Sequence, residues 1–223
     1  MPLGEILEIT WLSLVVSGSA AILALLFGLP SAVLIYLKQF PGKKLLIALL
    51  NTGMGLPPVV VGLLVAILLW RTGPLGFLGL MYTPAAMVLA QFIIALPLVT
   101  GLSLAALQQV DPQVMLQARA LGANSWQMVV VLLKESRMGQ LAAIITAFGG
   151  VVSEVGAVMM VGGNLKGYTR VLTTAIVQET RMGNFRQAVY LGLILLALSF
   201  AINWFLTSLQ QKGADRWKGP RWK

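Results

Sequence analysis

The sequence contains no cysteine and no histidine. Those two absences exclude disulfide frameworks, thiolate chemistry, ordinary zinc sites and the commonest general base. Charge is scarce as well. Only 10% of the 223 residues are charged, where a soluble domain carries roughly 25%. A phosphate cradle of the form G-x-x-x-x-G-K-[ST] is also missing. The glycine-rich stretch "GGNLKGYT" (162–169) holds a lysine, but at the wrong spacing. The chain therefore has no ATP-binding motif of its own, and no cofactor or metal is expected on it.

What remains is overwhelmingly apolar. Hydrophobic residues make up 58% of the chain and mean hydropathy is +0.86. The natural solvent for such a composition is lipid, and an all-α integral membrane protein is predicted. Five stretches reach the roughly 20 apolar residues a spanning helix needs: Ile9–Leu37, Leu45–Trp70, Ala85–Leu107, Met138–Val161 and Ala188–Leu209. Pro30, Pro57, Pro58 and Pro97 fall inside them, so kinked or locally unwound helices are expected. The N-terminal "MPLGEILEIT" carries Glu5 and Glu8 without a basic n-region, which predicts that the first apolar segment is retained.

The net charge of +9 is unevenly shared among the loops. With the N-terminus outside, eleven basic residues fall on inner segments: Lys38, Lys43, Lys44, Arg119, Lys134, Arg137, Lys212, Arg216, Lys218, Arg221 and Lys223. Five fall outside: Arg71, Lys166, Arg170, Arg181 and Arg186. The excess predicts an outside N-terminus and a cytoplasmic C-terminus. The tail 212–223, with Trp217 and Trp222 among its basic residues, reads as an anchor on anionic lipid rather than a nucleic-acid arm. There is no internal repeat, and five spans do not divide into two inverted halves. A central pathway then calls for two copies of the chain.

One polar elbow interrupts the apolar runs: "LQARALGANSWQMVVVLLKES", 116–136. Upstream, Asp111 suits an N-cap and Pro112 the first helical position. Val114, Met115, Ala118 and Leu121 form one apolar stripe at helical spacing. Gly122 suits a left-handed helix end, and Asn124 with Gln127 makes a capping box for a second helix. The elbow is predicted to be helix, glycine turn, helix, on the cytoplasmic side.

This elbow resembles the cytoplasmic "EAA" signature of binding-protein-dependent ABC importer permeases. That signature reads E-A-A, three residues, Gly, nine residues, then I-x-L-P. Aligned on Gly122, Ala118 matches the second alanine and Leu132 approximates the isoleucine. Leu116 replaces the glutamate, Gln117 the first alanine, and Lys134-Glu135 the Leu-Pro pair, while the helix–glycine–helix spacing is kept. The stretches 55–84 and 89–107 look like spans of molybdate-type permeases. The stretch "SEVGAVMMVGGNLKGYTRVLTTAIVQET" (153–180) resembles the tungstate-uptake branch. The likeness covers about residues 10–210.

The resemblance implies a type I ABC importer permease in a prokaryotic inner membrane. It implies a homodimer, two ATPase subunits carrying ATP and Mg below, and an oxyanion-binding protein outside. It also implies that residues 111–127 couple the chain to the ATPase. Carried over residue by residue, the coupling helix is Pro112–Leu121, the turn is Gly122-Ala123, and Asn124, Ser125 and Trp126 complete the contact. Within that set, Ala118 and Leu121 belong to the helix, Arg119 is the expected polar contact and Trp126 the apolar anchor. A permease of the same architecture for sulfate or an amino acid is the competing expectation, because a fold does not fix its ligand. A membrane-embedded enzyme would need a convergent set of acids, bases or nucleophiles that the sequence lacks.

Candidates for the translocation pathway or gate are Pro57, Pro58, Gln91, Pro97, Ser153 and Glu154. An unpaired acid within a span costs roughly 2.5–3.5 kcal/mol. Glu154 is therefore expected to bond backbone freed near Gly156, or to pair with a basic residue. Gly149, Ser153 and Ala157 recur every four residues and predict a small-residue packing face. Pro57-Pro58 and Pro97 are expected either to unwind backbone beside the pore or to kink their helices only for packing. The outer segment has Val171, Leu172, Ala175 and Ile176 at helical spacing beside Lys166 and Arg170. Those two cations either draw anions to the outer mouth or belong to an ordinary solvated loop.

Overall fold

The computed structural model describes residues 1–215, and helix is the only extended regular structure among them. In chain order the helices are α1 (Leu3–Leu37), α2 (Lys43–Met54), α3 (Pro58–Leu69), α4 (Pro84–Gln108) and α5 (Pro112–Ala120). They continue with α6 (Ser125–Glu135), α7 (Arg137–Val152), α8 (Gly156–Gly162), α9 (Leu172–Arg181) and α10 (Phe185–Asp215). A single 3-10 turn, Gly76–Leu78, lies between α3 and α4. The tail expected to anchor on lipid, 212–223, lies outside the residues described with their side chains.

Among the described residues, three helices are long and apolar enough to cross a membrane alone: α1, α4 and the Phe185–Gln211 part of α10. The other two expected spans are each broken. α2 and α3 meet at 104°, and α7 and α8 at 55°, so counting each bent pair once gives five spans. α1 runs 35 residues, roughly 50 Å at 1.5 Å per residue, well over the ~30 Å hydrocarbon core.

α1 is a long spine lying chiefly against α4, and the packing layers of the bundle follow one another along its length. Its buried residues include a run of small ones, Ser13, Ser17, Ala20, Ala24, Gly28 and Ala32, and α1 lies against α4. A side chain at Gly28 would come within 3.0 Å of Val99 Cγ1, so the backbones approach closely there. At the N-terminal end Ile9 packs with Leu172, Ala175 and Leu191. Next come Val16 with residues of α3, α4 and α8, then Ala24 with Ala95, Val99, Ala147 and Val151. At the far end Ala32, Val33 and Ile35 pack with Leu104, Leu107, Val110 and Leu132. The elbow and the 163–181 segment therefore lie at opposite ends of the bundle.

The prolines act less uniformly than the sequence suggests. Pro57 and Pro58 sit at the α2–α3 break, Pro58 as the first residue of α3. Pro30 and Pro97 sit inside helices that stay continuous, so the unwinding expected at Pro97 does not occur. The Pro97 ring is seated over Gly53, where an added Cβ would lie 2.8 Å from Pro97 Cβ. A bare glycine opposite the ring leaves room for the proline without opening α4.

The small-residue face expected along Gly149, Ser153 and Ala157 is not continuous. Residues 153–155 break the helix, Ser153 is exposed, and Ala157 is buried on α8. Ala157 meets Gly62 of α3 so closely that a Cβ at Gly62 would fall 2.6 Å from Ala157 Cα. Helix packing does use small residues here, but between α3 and α8.

Candidate functional sites

The elbow folds from local instructions. Asp111 caps α5 by accepting the Gln113 N–H at 2.8 Å. The α5 end turns through Gly122 at φ 81°, with the Ala123 N–H donating to the Ala118 carbonyl at 3.0 Å. Asn124 Oδ1 accepts the Gln127 N–H at 2.9 Å, and Gln127 Oε1 accepts the Asn124 N–H at 2.8 Å. Each cap is worth about 1 kcal/mol. α6 then anchors through Leu132, which is fully buried among α1 and α4 residues.

The elbow's outer surface is apolar and uncovered. Leu121 is 89% exposed, Trp126 73% and Leu116 64%. Leu121 lies at the α5 C-cap, not on the helix's inward stripe as its spacing suggests; Val114, Met115 and Ala118 are half-buried. Arg119 and Asn124 are exposed, and Ser125 opens α6. Leu116, Leu121 and Trp126 thus leave apolar surface on this turn uncovered among the described residues.

The second site is the pair of breaks that lies level with the centre of α1. The breaks adjoin each other. A Cβ at Gly156, the first residue of α8, would lie 2.6 Å from Val59 Cγ2, near the start of α3. Ending α7 at Val152 frees carbonyls that need partners inside the bundle. Side chains from other elements and from the break itself supply them. Gln91 Nε2 of α4 donates to the Val151 carbonyl at 2.8 Å, and Ser17 Oγ of α1 lies 3.5 Å from the same oxygen. Ser153 Oγ turns back to the Gly149 and Gly150 carbonyls at 2.9 and 3.1 Å. Thr173 Oγ1 of α9 donates to the Glu154 carbonyl at 3.0 Å.

Glu154 itself is buried, and its Oε1 accepts the Ala157 N–H at 2.9 Å. Of the two partners the sequence left open, the structure supplies backbone in the first turn of α8. A carboxylate at that position also faces the positive end of the helix dipoles. Gln91, read as lining a pathway, is 3% exposed and holds the break. Sequence reasoning missed Ser17 and Thr173. The available signal was their polarity within apolar surroundings.

At the opposite end, Glu5 of α1 meets two cations of the 163–171 loop. Lys166 Nζ lies 3.2 Å and Arg170 Nη1 3.6 Å from its oxygens. Arg170 is buried whereas Lys166 is largely exposed. The loop is internally bonded, with the Leu165 N–H donating to Thr169 Oγ1 at 2.9 Å. α9 follows with Leu172 and Ala175 buried, as their spacing predicts. These elements and the start of α10 border an open cavity of about 810 Å³ that carries charges of both signs.

Comparison with known proteins agrees with this architecture. A probable anion ABC transporter permease protein from Haloferax volcanii is 42% identical over 203 residues, covering 89% of this chain and 88% of its own. The tungstate uptake system permease protein TupB of Peptoclostridium acidaminophilum is 39% identical over 208 residues, covering 93% and 91%. A solved inward-facing structure of the MetNI methionine ABC transporter superposes with a TM-score of 0.78. It covers 96% of this chain and 99% of its own at 19% identity, a likeness of fold. Residues 20–214 match the profile of the binding-protein-dependent transport system inner membrane component. The chain belongs to that family, the multi-pass permease subunits of ABC importers.

Proposed function

We propose that this permease carries a tetrahedral oxyanion, tungstate or its close analogue molybdate, into the cytoplasm. The observation that carries the cargo is the likeness to a tungstate uptake permease over about nine-tenths of both chains. Two copies form the pathway, with the N-terminus outside and the C-terminus in the cytoplasm. A separate ATPase subunit sits under each elbow, and an oxyanion-binding protein delivers cargo to the opposite face.

In this reading ATP-driven closure of the ATPase pair moves the two elbows. Leu121 and Trp126 are the apolar anchors, Arg119 is the polar contact, and Ala118, Gly122, Ala123, Asn124 and Ser125 set the shape. The burial of Leu132 carries the displacement from α6 into α1 and α4. An anion pathway must avoid a facing carboxylate, and Glu154 meets that need by bonding backbone of its own chain. Exposed Ser153 and the backbone beside Pro57 and Pro58 are then the pathway-side groups at mid-depth. Gln91 and Pro97 act behind that wall. Lys166 is the cation open to incoming anions at the outer mouth, because Arg170 is buried beside Glu5.

The test is reconstitution of the permease with its ATPase and binding protein, the latter loaded with tungstate, molybdate or sulfate. Tungstate or molybdate should stimulate both ATP hydrolysis and uptake. Stimulation by sulfate alone would overturn the cargo, and failure to co-purify with any ATPase would overturn the coupling.

A further inference from the structure

The α7–α8 break has a partner that its role in a pathway does not require. Thr173 lies on α9, 19 residues beyond Glu154, is 6% exposed, and donates its hydroxyl to the Glu154 carbonyl at 3.0 Å. The residue before it, Leu172, donates its N–H to Ser13 Oγ of α1 at 2.8 Å. The start of α9 is thus bonded both to the spine of the bundle and to the hinge between α7 and α8. The start of α9 also packs on α10, with Leu172 and Ala175 lying against Leu191. Its other end is tied to the 163–171 loop, where Asn164 Nδ2 donates to Gln178 Oε1, and Asn184 Nδ2 donates to Glu179 Oε2 at 3.0 Å. Upstream, Lys166 and Arg170 meet Glu5. A rigid segment fixed at both ends cannot follow a change at one end without straining the other.

We infer that α9 is a strut that carries the state of the outer face to the mid-membrane break, with Thr173 as the positioning residue that makes the connection. Glu154 sits at a 55° bend. A change in that angle moves its carbonyl relative to α9, so the Thr173 bond is made in one hinge geometry and lost in another. Such a differential contact is what coupling between distant sites requires. The inference rests on the proposed reading that a loaded binding protein docks on the α9 side of the bundle.

The experiment compares wild type, Thr173→Val and Thr173→Ser in the complete complex in lipid nanodiscs. ATP hydrolysis is measured with and without tungstate-loaded binding protein. Valine keeps the shape and removes the hydroxyl, while serine keeps the hydroxyl. Thr173→Val should retain basal hydrolysis and lose about tenfold of its stimulation, the scale of one buried polar group left unbonded. Thr173→Ser should be stimulated like wild type. Full stimulation of the valine variant, or equal loss in both variants, would overturn the strut. Amide hydrogen exchange in the wild-type complex tests it without a variant. Docking should change protection at 153–158 together with 171–174, and a change at 171–174 alone contradicts the inference. Absence of stimulation in wild type would overturn the parent reading and the strut with it. Wild-type stimulation that the valine variant retains overturns the strut alone.

Discussion

The elbow and the α7–α8 break are built in opposite ways. The elbow satisfies its backbone within two or three residues, through Asp111, Asn124 and Gln127, and leaves its apolar surface bare. The break is buried, and side chains from α1, α4 and α9 satisfy carbonyls that its bend frees. A surface with local structure and no internal partner is suited to a partner from outside. A joint bonded to several elements is suited to changing shape with all of them. One chain thus separates an exposed surface built from local contacts from a buried joint held by distant ones.

The largest effect should come from spoiling the bare surface. Leu121→Asp combined with Trp126→Asp removes two exposed anchors without touching the core, so thermal unfolding should stay near wild type. Uptake should fall on the order of 100-fold, as when central apolar anchors of an interface are lost, and the ATPase should no longer co-purify. The break should respond in the other sense, with stability affected directly. Glu154→Leu leaves the Ala157 N–H unbonded in the bundle and should cost about 1–3 kcal/mol. Glu154→Gln keeps an oxygen acceptor and should remain close to wild type in thermal unfolding. If both variants unfold alike, the carboxylate is not a backbone cap. Smallest of all is Lys166→Ala at the outer end. The lysine end of its ion pair with Glu5 is solvent-exposed, so the pair is worth about 0–1 kcal/mol; stability should barely move while uptake at low salt falls more than at high salt.

The same contrast explains what the sequence reveals. Asp111, Gly122, Asn124 and Gln127 act on neighbours a few positions away, so the elbow's shape is readable before any tertiary contact is known. Its apolar exposure is not, because spacing alone puts Leu121 on the inward stripe when it lies at the helix end. The α2–α3 break is announced by Pro57-Pro58. The α7–α8 break carries no proline, and its apolar run reads as one continuous span. The side chains that satisfy it are spread over Ser17, Gln91, Glu154 and Thr173, with Ser17 lying 134 residues from the Val151 carbonyl it faces. Pro97 shows the converse: its effect depends on Gly53, which only the fold brings opposite. The orientation of Glu154 was legible as one of two choices, and the backbone partner is the one present.

The absence of native cysteine makes one position a clean probe of the account. Leu121→Cys introduces a single thiol on the barest residue of the elbow. A membrane-impermeant maleimide should label it in inside-out vesicles and not in right-side-out ones, and a bound ATPase should protect it. Labelling from the outside, or equal labelling with and without the ATPase, would contradict the claim that this elbow is the cytoplasmic contact through which the permease is driven.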